Sequence, residues 1–369
     1  MGATETMAVW SFVPALVQRL IGNRLGSERM LDARQFRSAL ERERLRADRM
    51  GTSFSFIEFD TRSRPAVWTE TLVMTLEQRL RLTDEFGVHG LGLGAILPET
   101  SEDAARNVAE GIARGCPADP PVSWRVFAYP DVSSNGTSSD RGSVRTGAGA
   151  RGVVQEAGEP VATGMLFVKP LPLWKRAIDI AVASIGLVLA GPALAFAATA
   201  IKATSPGPIL FLQRRTGLGG RPFTIYKLRT MRNDAERLKA GLRSISEQDG
   251  PAFKLKNDPR VTAVGKYLRK TCIDELPQLW NVLRGDMTLV GPRPLPCDES
   301  DGCAVWQKRR LDVTPGLTCI WQVNSGRSRV AFADWMRMDL RYVRGRTRLA
   351  DARLLWKTFL AVILHRASH

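Results

Sequence analysis

Histidine is scarce in this 369-residue chain, which limits the chemistry that we expect of it. There are three histidines, and two of them, His365 and His369, lie at the C-terminal end. A histidine-based catalytic triad or a histidine-rich zinc site is therefore not expected. The five cysteines form no CxxC pair, and their odd number argues against a disulfide framework, so the sequence favours a reducing compartment. We expect any nucleophile to be a carboxylate.

Motifs for nucleic-acid binding are also missing, although the chain is strongly basic. Lys and Arg number 53 against 37 Asp and Glu, a formal net charge of +16. Such an excess suits nucleic acid, anionic lipid headgroups or phosphate-rich substrates. Zinc-finger spacing, RNA-binding aromatic signatures and basic heptad helices do not occur. The sequence therefore favours lipid or phosphate partners and no nucleic acid.

The first half of the chain alternates helical and strand patterns. A charged helix is predicted over 33–50, and it is followed by a strand at 53–59, a helix at 68–81, a Gly-rich hairpin at 86–97, a helix at 102–114 and a strand at 123–128. This order is typical of an α/β sandwich.

Two runs in this half, RSALERERLRADRMGTSFSFIEFD and RLTDEFGVHGLGLGAILPETSEDAARNVAEGI, resemble the GGDEF domains of diguanylate cyclases. Asp60 matches the first metal-binding acid of that family. The family's turn of two glycines, two acids and an aromatic residue is replaced by HGLGL, so Leu91 and Gly92 stand where the acids belong. The resemblance implies a degenerate, catalytically inactive domain that dimerises or senses a signal. The alternative is a simple scaffold.

The run DVSSNGTSSDRGSVRTGAGARGVVQEAGEP, residues 131–160, is rich in Gly, Ser and Thr and nearly empty of large apolar residues. This composition is typical of a flexible linker. We therefore predict a first domain over 1–130, a linker over 131–165 and a second domain over 166–369.

Residues 180–201 carry no charge and form a run of 22 residues. At about 1.5 Å per residue, a helix of that length just crosses a bilayer core. However, Gly191 and Pro192 lie at its middle, and basic residues flank both ends, so charge asymmetry gives no support for a crossing. These features favour a helix-break-helix that enters and leaves the same leaflet. The alternative is a transmembrane helix with a proline kink.

A glycine loop follows, Gly217 to Gly220, between short strands predicted at 209–213 and 223–228. Five bases surround it in the sequence: Arg214, Arg215, Arg221, Lys227 and Arg229. Together they predict an anion-binding cradle, and contact with solvent or lipid headgroups is the alternative for about half of them.

The stretch KYLRKTCIDELPQLWNVLRGDMTLVGPRP, residues 266–294, is the densest in acids, bases and turn residues. Its leucines and valine recur at helical spacing, which predicts a helix from about Ile273 to Leu283. Asp274 and Glu275 would then lie in the first turn, where free N–H groups and the helix dipole favour carboxylates and cation-bridged phosphates. The alternative is that Thr271 caps the helix and Asp274 completes a capping box.

The run DELPQLWNVLRGDMTLVGPRP resembles the signature of the bacterial sugar transferases, the monotopic phosphoglycosyl transferases that start polysaccharide assembly on a polyprenyl phosphate. The resemblance extends from about Lys169 to the C-terminus. It implies that Asp274 is the nucleophile and that Glu275 supports Mg²⁺ and the geometry, with both carboxylates as metal ligands. The phosphate ligands that it implies are Arg269, Arg293, Lys227, Arg229, Arg260 and Arg327.

Residues 314–327 resemble a family box of proline, glycine, tryptophan, glutamine and arginine residues, with two departures. Cys319 stands where glycine is usual, and one extra residue precedes Gly326. Upstream of this box, the acidic run LPCDESDGCAVW is predicted as a surface loop. Downstream of it, Asp339, Tyr342 and Asp351 fit the family's helices, and an apolar helix over 354–364 is predicted to lie at a membrane surface.

The expected fold class is α/β, with a GGDEF-like sandwich followed by a mainly helical membrane domain that carries the re-entrant helix. The expected reaction transfers a sugar 1-phosphate from a UDP-sugar to a polyprenyl phosphate with Mg²⁺, releases UMP and begins the assembly of an exopolysaccharide, an O-antigen or a related glycan. It would take place at the cytoplasmic face of the bacterial inner membrane, with membrane lipids and a second copy of the chain as further partners. The alternative is a non-catalytic membrane-anchored receptor for a cyclic nucleotide or a protein, in which the Asp–Glu pair is structural.

Overall fold

The computed structural model describes residues 27, 29–61, 65–116, 122–130, 166–323 and 330–363. The chain divides into two compact units, Met1–Thr163 and Gly164–His369. The linker predicted over 131–165 and the phosphate ligand predicted at Arg327 lie outside the described residues.

The N-terminal unit is built on a four-stranded antiparallel sheet in the order β2-β3-β1-β4. Its elements are α1 (Ala33–Met50), β1 (Phe54–Phe59), α2 (Ala66–Arg79), β2 (Glu85–His89), β3 (Gly92–Pro98), α3 (Glu102–Gly115) and β4 (Trp124–Tyr129). Asp32 caps α1 by accepting hydrogen bonds from the N–H groups of Arg34 and Gln35. The predicted order of elements in this half is confirmed.

Helices cover both faces of this sheet. On one face, Leu72 and Leu76 of α2 and Ile112 of α3 pack in a common core with Ile57 and Phe59 of β1. On the other face, Phe36 of α1 packs against Phe56, with ring centroids 6.1 Å apart. Gly94 lies between these two rings, where a Cβ atom would come within 2.8 Å of Phe36. The layers therefore form the predicted α/β sandwich.

The C-terminal unit is mainly helical and contains two small two-stranded sheets, β5 with β6 and β7 with β8. Its elements are α4 (Leu173–Thr204), β5 (Leu210–Thr216), β6 (Pro222–Leu228), α5 (Ala235–Leu242), α6 (Ala263–Thr271), α7 (Gln278–Arg284), β7 (Thr288–Val290), α8 (Cys297–Asp301), α9 (Val305–Lys308), β8 (Gly316–Thr318), α10 (Phe332–Arg344) and α11 (Arg348–Ile363). Short 3₁₀ turns lie at Leu218–Gly220, Arg243–Ile245, Ile273–Glu275, Arg309–Asp312 and Trp321–Val323.

Helix α4 contains the apolar run, and within the described part of the chain it is the one helix long and apolar enough to cross a membrane. It continues through the predicted interruption, with Gly191 and Pro192 both inside the helix. The helix is therefore continuous at the predicted break, and the re-entrant path through the membrane stays a prediction. The buried residues of α4 recur along one narrow stripe: Lys175, Asp179, Ala183, Ala190, Ala197 and Ile201. Large apolar side chains on the remaining surface are exposed, among them Ile185, Val188, Leu189 and Phe196.

Buried polar contacts fix the first two turns of α4 to the rest of the unit. The ammonium group of Lys175 forms an ion pair with Asp351 of α11, and both side chains are almost fully buried. Asp179 accepts hydrogen bonds from the Thr288 hydroxyl at 2.7 Å and from the Leu289 N–H at 3.0 Å. Because each buried charge has a partner, the base of the helix is held in one position.

The chain between α6 and α7 differs from the prediction of one helix over 273–283. A 3₁₀ turn, Ile273–Glu275, is separated from α7, and Pro277 precedes the first residue of α7. Proline lacks an N–H group, so it cannot extend a hydrogen-bond ladder from the preceding turn. Thr271 is the last residue of α6, and its hydroxyl donates to the carbonyl groups of Tyr267 and Leu268. The alternative in which Thr271 caps the following helix is therefore wrong.

The acidic run at 295–306 is largely helical and buries one side against the core, so the prediction of a loop is wrong, although Asp298 and Asp301 do lie on the surface. It contains α8 and the start of α9, and Leu295, Glu299 and Cys303 are buried. Glu299 accepts hydrogen bonds from Lys239 at 3.3 Å and from the Phe253 N–H at 3.4 Å. These contacts neutralise the buried charge and tie the run to α5.

Candidate active site

A cleft of about 2030 Å³ lies within the C-terminal unit. Residues of β5, β6, α6 and the segment from Arg293 to Pro296 line it, together with Asp274. Thirteen Lys and Arg residues line the cleft against five Asp and Glu residues. Such an excess of positive charge attracts polyanions.

Asp274 is carried into this cleft by an unusual local backbone. Cys272 has a left-handed conformation, with φ 58°, at the junction between α6 and the 3₁₀ turn. The carboxylate of Asp274 is 7% exposed, and no hydrogen bond from another described residue reaches it. Burial and the adjacent charge of Glu275 raise its pKa to about 6, against the opposing effect of Lys227, Arg269 and Arg293. A carboxylate with few partners and a raised pKa is typical of a reactive group.

Glu275 has a different environment from its neighbour. The Lys227 ammonium group donates to one oxygen at 2.8 Å, and the Arg293 guanidinium group donates to both oxygens. Burial lowers the pKa of Lys227, and Glu275 opposes that effect. The two cations therefore offset the charge of the Glu275 carboxylate, and Glu275 holds them beside Asp274.

Arg269 completes the group of cations around Asp274. It lies in the last turn of α6, and its Nε donates to the Thr230 hydroxyl at 3.0 Å. Burial lowers its pKa, whereas the charge of Asp274 raises it. The structure thus brings Asp274, Glu275, Lys227, Arg269 and Arg293 together.

The other two described residues predicted as phosphate ligands line the cleft but bond to the protein itself. Arg229 donates to the carbonyl groups of Ser205 and Pro206, just after the last residue of α4. Arg260 forms a buried ion pair with Asp258 and donates to a backbone carbonyl of α5. Their hydrogen bonds hold the wall of the cleft together.

The glycine loop does not form the predicted anion-binding cradle of the cleft. Leu218, Gly219 and Gly220 are not among the residues that line the cleft. Gly219 and Gly220 have φ values of 62° and 86°, so they serve the tight turn of the β5–β6 hairpin. The neighbouring bases that do reach the cleft are Arg215, Lys227 and Arg229.

Sequence reasoning missed a buried ion pair that supports Arg293. Arg310 pairs with Asp339 of α10 at 2.8 Å, and it also donates to the backbone carbonyl of Arg293. The pair Arg309–Arg310 reads in the sequence as part of a solvated basic run, and nothing in it marks one of the two as buried. The spacing of the family box gave no signal for this support either.

The carboxylates suit a magnesium ion better than a transition metal. Within the described residues, no group of three or more His, Cys, Asp and Glu side chains could hold a metal ion. Mg²⁺ is commonly held by one or two carboxylates plus substrate phosphates, and the adjacent carboxylates of Asp274 and Glu275 match that donor set. Zinc would require more protein ligands.

Comparisons with known proteins identify the family of the C-terminal half. The family model of the bacterial sugar transferases matches residues 171–365. The chain is 43% identical over 191 residues to the galactosyl transferase CpsE of Streptococcus agalactiae, covering 52% of this chain and 42% of that protein. It is 38% identical over 218 residues to the exopolysaccharide production protein ExoY of Rhizobium meliloti, covering 57% of this chain and 94% of that protein.

A third relative is named for its substrates. The chain is 41% identical over 203 residues to the UDP-glucose:undecaprenyl-phosphate glucose-1-phosphate transferase of Caulobacter vibrioides, covering 51% of this chain and 71% of that protein. The length covered thus varies among relatives, and the chain spans less than half of CpsE.

Among solved structures, the GGDEF domain of Pseudomonas aeruginosa YfiN matches 29% of this chain and 75% of that chain. The identity is 18% and the TM-score is 0.26. A likeness this weak carries no argument, so the GGDEF-like interpretation of the N-terminal unit rests on its sequence motifs.

Proposed function

Because the chain belongs to the bacterial sugar transferase family, we propose that it transfers a sugar 1-phosphate from a UDP-sugar to a polyprenyl phosphate and releases UMP. The observation that carries this proposal is the buried carboxylate of Asp274, which lies in a basic cleft among Lys227, Arg269 and Arg293. A carboxylate that attacks a phosphorus atom must be free to react, and nearby cations must offset the negative charge of the phosphates. Relatives named for exopolysaccharide production and for UDP-glucose support the same substrate classes.

In the first step, an oxygen of Asp274 attacks the phosphorus atom that bears the sugar. The bond from that phosphorus to the bridging oxygen breaks, UMP leaves with the electron pair, and an aspartyl phosphosugar remains. In the second step, a phosphate oxygen of the polyprenyl phosphate attacks the same phosphorus, and the carboxylate of Asp274 is released. Each step transfers one phosphoryl group, so no oxidant or further reactant is required.

The surrounding side chains neutralise the charge that these steps bring together. Lys227, Arg269 and Arg293 face the phosphates at fixed positions, which lowers the repulsion between two polyanions. Glu275 orients Lys227 and Arg293 through its hydrogen bonds. A bound Mg²⁺, held by Asp274 and Glu275, would add a further positive charge against the diphosphate.

We further propose that α4 is re-entrant at the cytoplasmic face, and its packing supports placement in a single leaflet. Ala183 packs in one core cluster with Leu279 of α7, and Ile201, 18 residues further on, packs in another with Leu268 of α6. At about 1.5 Å per residue these contacts are about 27 Å apart, nearly the thickness of a bilayer core. A straight crossing would bury the elements beside Asp274 in lipid, whereas a helix that stays in one leaflet leaves the basic cleft open to water.

The proposal is tested by trapping the intermediate. The full chain in detergent is incubated with Mg²⁺ and a panel of UDP-sugars labelled in the sugar, without acceptor. We expect a burst of UMP and label held in a hydroxylamine-sensitive bond, and we expect Asp274→Asn to give neither. Asp301→Asn, which changes an exposed aspartate of α8, is the matched control and should behave as wild type.

Two further arms complete the test. Polyprenyl phosphate added to the trapped protein should release the label as a lipid product, and EDTA should suppress the burst. Retention of full activity in Asp274→Asn would refute the mechanism and leave the receptor alternative standing.

A further inference from the structure

Arg215 is a cation of the cleft that the mechanism above leaves without a role. It lies on β5, and its side chain lines the cleft together with Lys227 and Arg293. Its neighbour Arg214 is exposed, because successive residues of a strand point to opposite faces. The two arginines of the same strand therefore have different environments.

The guanidinium group of Arg215 bonds to neutral acceptors only. Nη1 donates to the carbonyl oxygen of Pro294, and Nε and Nη2 donate to Oε1 of Gln213 at 3.2 and 2.9 Å. Within the described chain, no carboxylate lies within 4.0 Å of it. A guanidinium group has five N–H donors, so three bonds leave about two donors for a ligand.

The other cations of this corner have carboxylate partners. Lys227 and Arg293 share the carboxylate of Glu275, and Lys239 pairs with Asp298 at 3.1 Å and with Glu299 at 3.3 Å. Arg215 is left over beside Arg293. Burial and the charge of Arg293 lower the pKa of Arg215 to about 10, against the opposing charges of Glu299, Glu275 and Asp298.

Arg215 is held against the segment that follows Arg293. Its Nη1 donates to the carbonyl oxygen of Pro294, and its backbone forms a β-bridge with Pro296. Asp274 lies in the turn after α6, where the charges of Lys227, Arg269 and Arg293 act on it. An anion bound by Arg215 would therefore lie next to the one attacked by Asp274, on the side of Arg293.

We infer that Arg215 binds the second phosphate of the donor, the one that leaves with UMP. This inference rests on the proposed function and deepens it. A diphosphate whose first phosphorus lies at Asp274 places its second phosphate one P–O–P bridge away, where Arg293 and Arg215 together supply the missing countercharge. Arg215 then stabilises the charge that develops on the leaving oxygen as the bridge breaks.

The test is equilibrium binding of UMP to the full chain in detergent, with EDTA present and no other substrate. Wild type should bind UMP, and Arg215→Met should bind it about 10- to 100-fold more weakly, as expected for lost charge-assisted hydrogen bonds. Arg215→Lys keeps the charge without the planar fork and should fall between them. Arg214→Met removes an exposed base from the same strand and should bind as wild type.

A purely structural role would give a different pattern. Without ligand, the melting temperature of Arg215→Met should stay close to that of wild type, because the loss of three hydrogen bonds to neutral acceptors is offset by the removal of a cation that repels Arg293. The rise of melting temperature that UMP produces in wild type should shrink in the variant. A lower melting temperature with unchanged UMP affinity in Arg215→Met and Arg215→Lys would overturn the inference.

A second measurement tests whether Arg215 instead binds the phosphate of the acceptor. Once the label has been trapped on the protein and UMP removed, transfer to polyprenyl phosphate should proceed in Arg215→Met at the wild-type rate. Slow transfer with unchanged UMP binding would assign Arg215 to the acceptor and refute our inference. If wild type bound UMP neither with EDTA nor with Mg²⁺, the proposed function would fail together with the inference, whereas equal binding by wild type and variant refutes the inference alone.

Discussion

Asp274→Asn should make the protein more stable while it removes activity. In the folded chain, burial and Glu275 raise the pKa of Asp274 from the ordinary 3.8 to about 6. At about 1.4 kcal/mol for each tenfold change in the ionisation constant, the ionised form costs about 3 kcal/mol of folding free energy. An asparagine side chain has similar size and no charge, so it avoids that cost.

The pH dependence of this gain follows from the sign of the pKa change. Because the folded pKa is the higher one, the free energy of unfolding of wild type falls as pH rises from about 4 through about 6. The free energy of unfolding of Asp274→Asn does not fall in this way, because the asparagine side chain does not titrate. The gain should therefore be about 1 kcal/mol at pH 4.5 and about 3 kcal/mol at pH 7.5, which corresponds to about 6–12 °C in melting temperature for a unit of this size.

Thermal unfolding in detergent with EDTA, at both pH values, measures the difference directly. Asp301→Asn serves as the control and should show no gain, since its side chain is exposed. A capping aspartate would behave in the opposite way, because its replacement typically costs about 1 kcal/mol. If Asp274→Asn melted below wild type at pH 7.5, the account of a costly buried carboxylate would be wrong.

Three further outcomes are expected. Arg310→Met leaves Asp339 buried without its partner and should destabilise the unit by about 3–5 kcal/mol, measured by thermal unfolding, and an effect below about 1 kcal/mol would contradict the buried pair. Gly265→Ala places a Cβ atom 2.0 Å from the carbonyl oxygen of Thr230 and should cost about 1–3 kcal/mol, whereas Gly241→Ala, with open space around it, should be neutral or slightly stabilising. The full chain should make no cyclic dinucleotide from GTP with Mg²⁺ or Mn²⁺, and detection of product by chromatography would refute the inactive-domain hypothesis.

Local sequence patterns predicted most of the fold. The spacing of apolar residues and the capping residues predicted helices α1 and α3 and the strands of the first sheet. These patterns are clear because one face of each element is buried against a neighbour. The helix predicted over 273–283 failed for a specific reason. Its apolar residues keep helical spacing across Pro277, so periodicity alone could not show that the chain is interrupted there.

The sequence predicted which residues belong to the candidate site, but it did not predict the hydrogen bonds and charges around each of them. Asp274 and Glu275 are adjacent carboxylates in the sequence. No hydrogen bond from another described residue reaches Asp274, whereas two cations donate hydrogen bonds to Glu275. Likewise, Arg229 and Arg269 are both bases that line the cleft, yet Arg229 bonds to the backbone of Ser205 and Arg269 to the Thr230 hydroxyl, a difference that depends on packing across the whole unit. Sequence reasoning therefore identifies the chemical groups, and the tertiary structure shows which of them are bonded to the protein itself.

The contact between α4 and the turn that carries Asp274 has a kinetic consequence. Ile273, the first residue of that turn, packs in the cluster formed with Ala197 and Ile201 of α4. If the exposed side of α4 lies in lipid, as proposed, the acceptor meets Asp274 by diffusing within a surface. Turnover would then follow the mole fraction of polyprenyl phosphate among the lipids, and adding inert detergent or lipid at constant total acceptor would slow the enzyme by surface dilution.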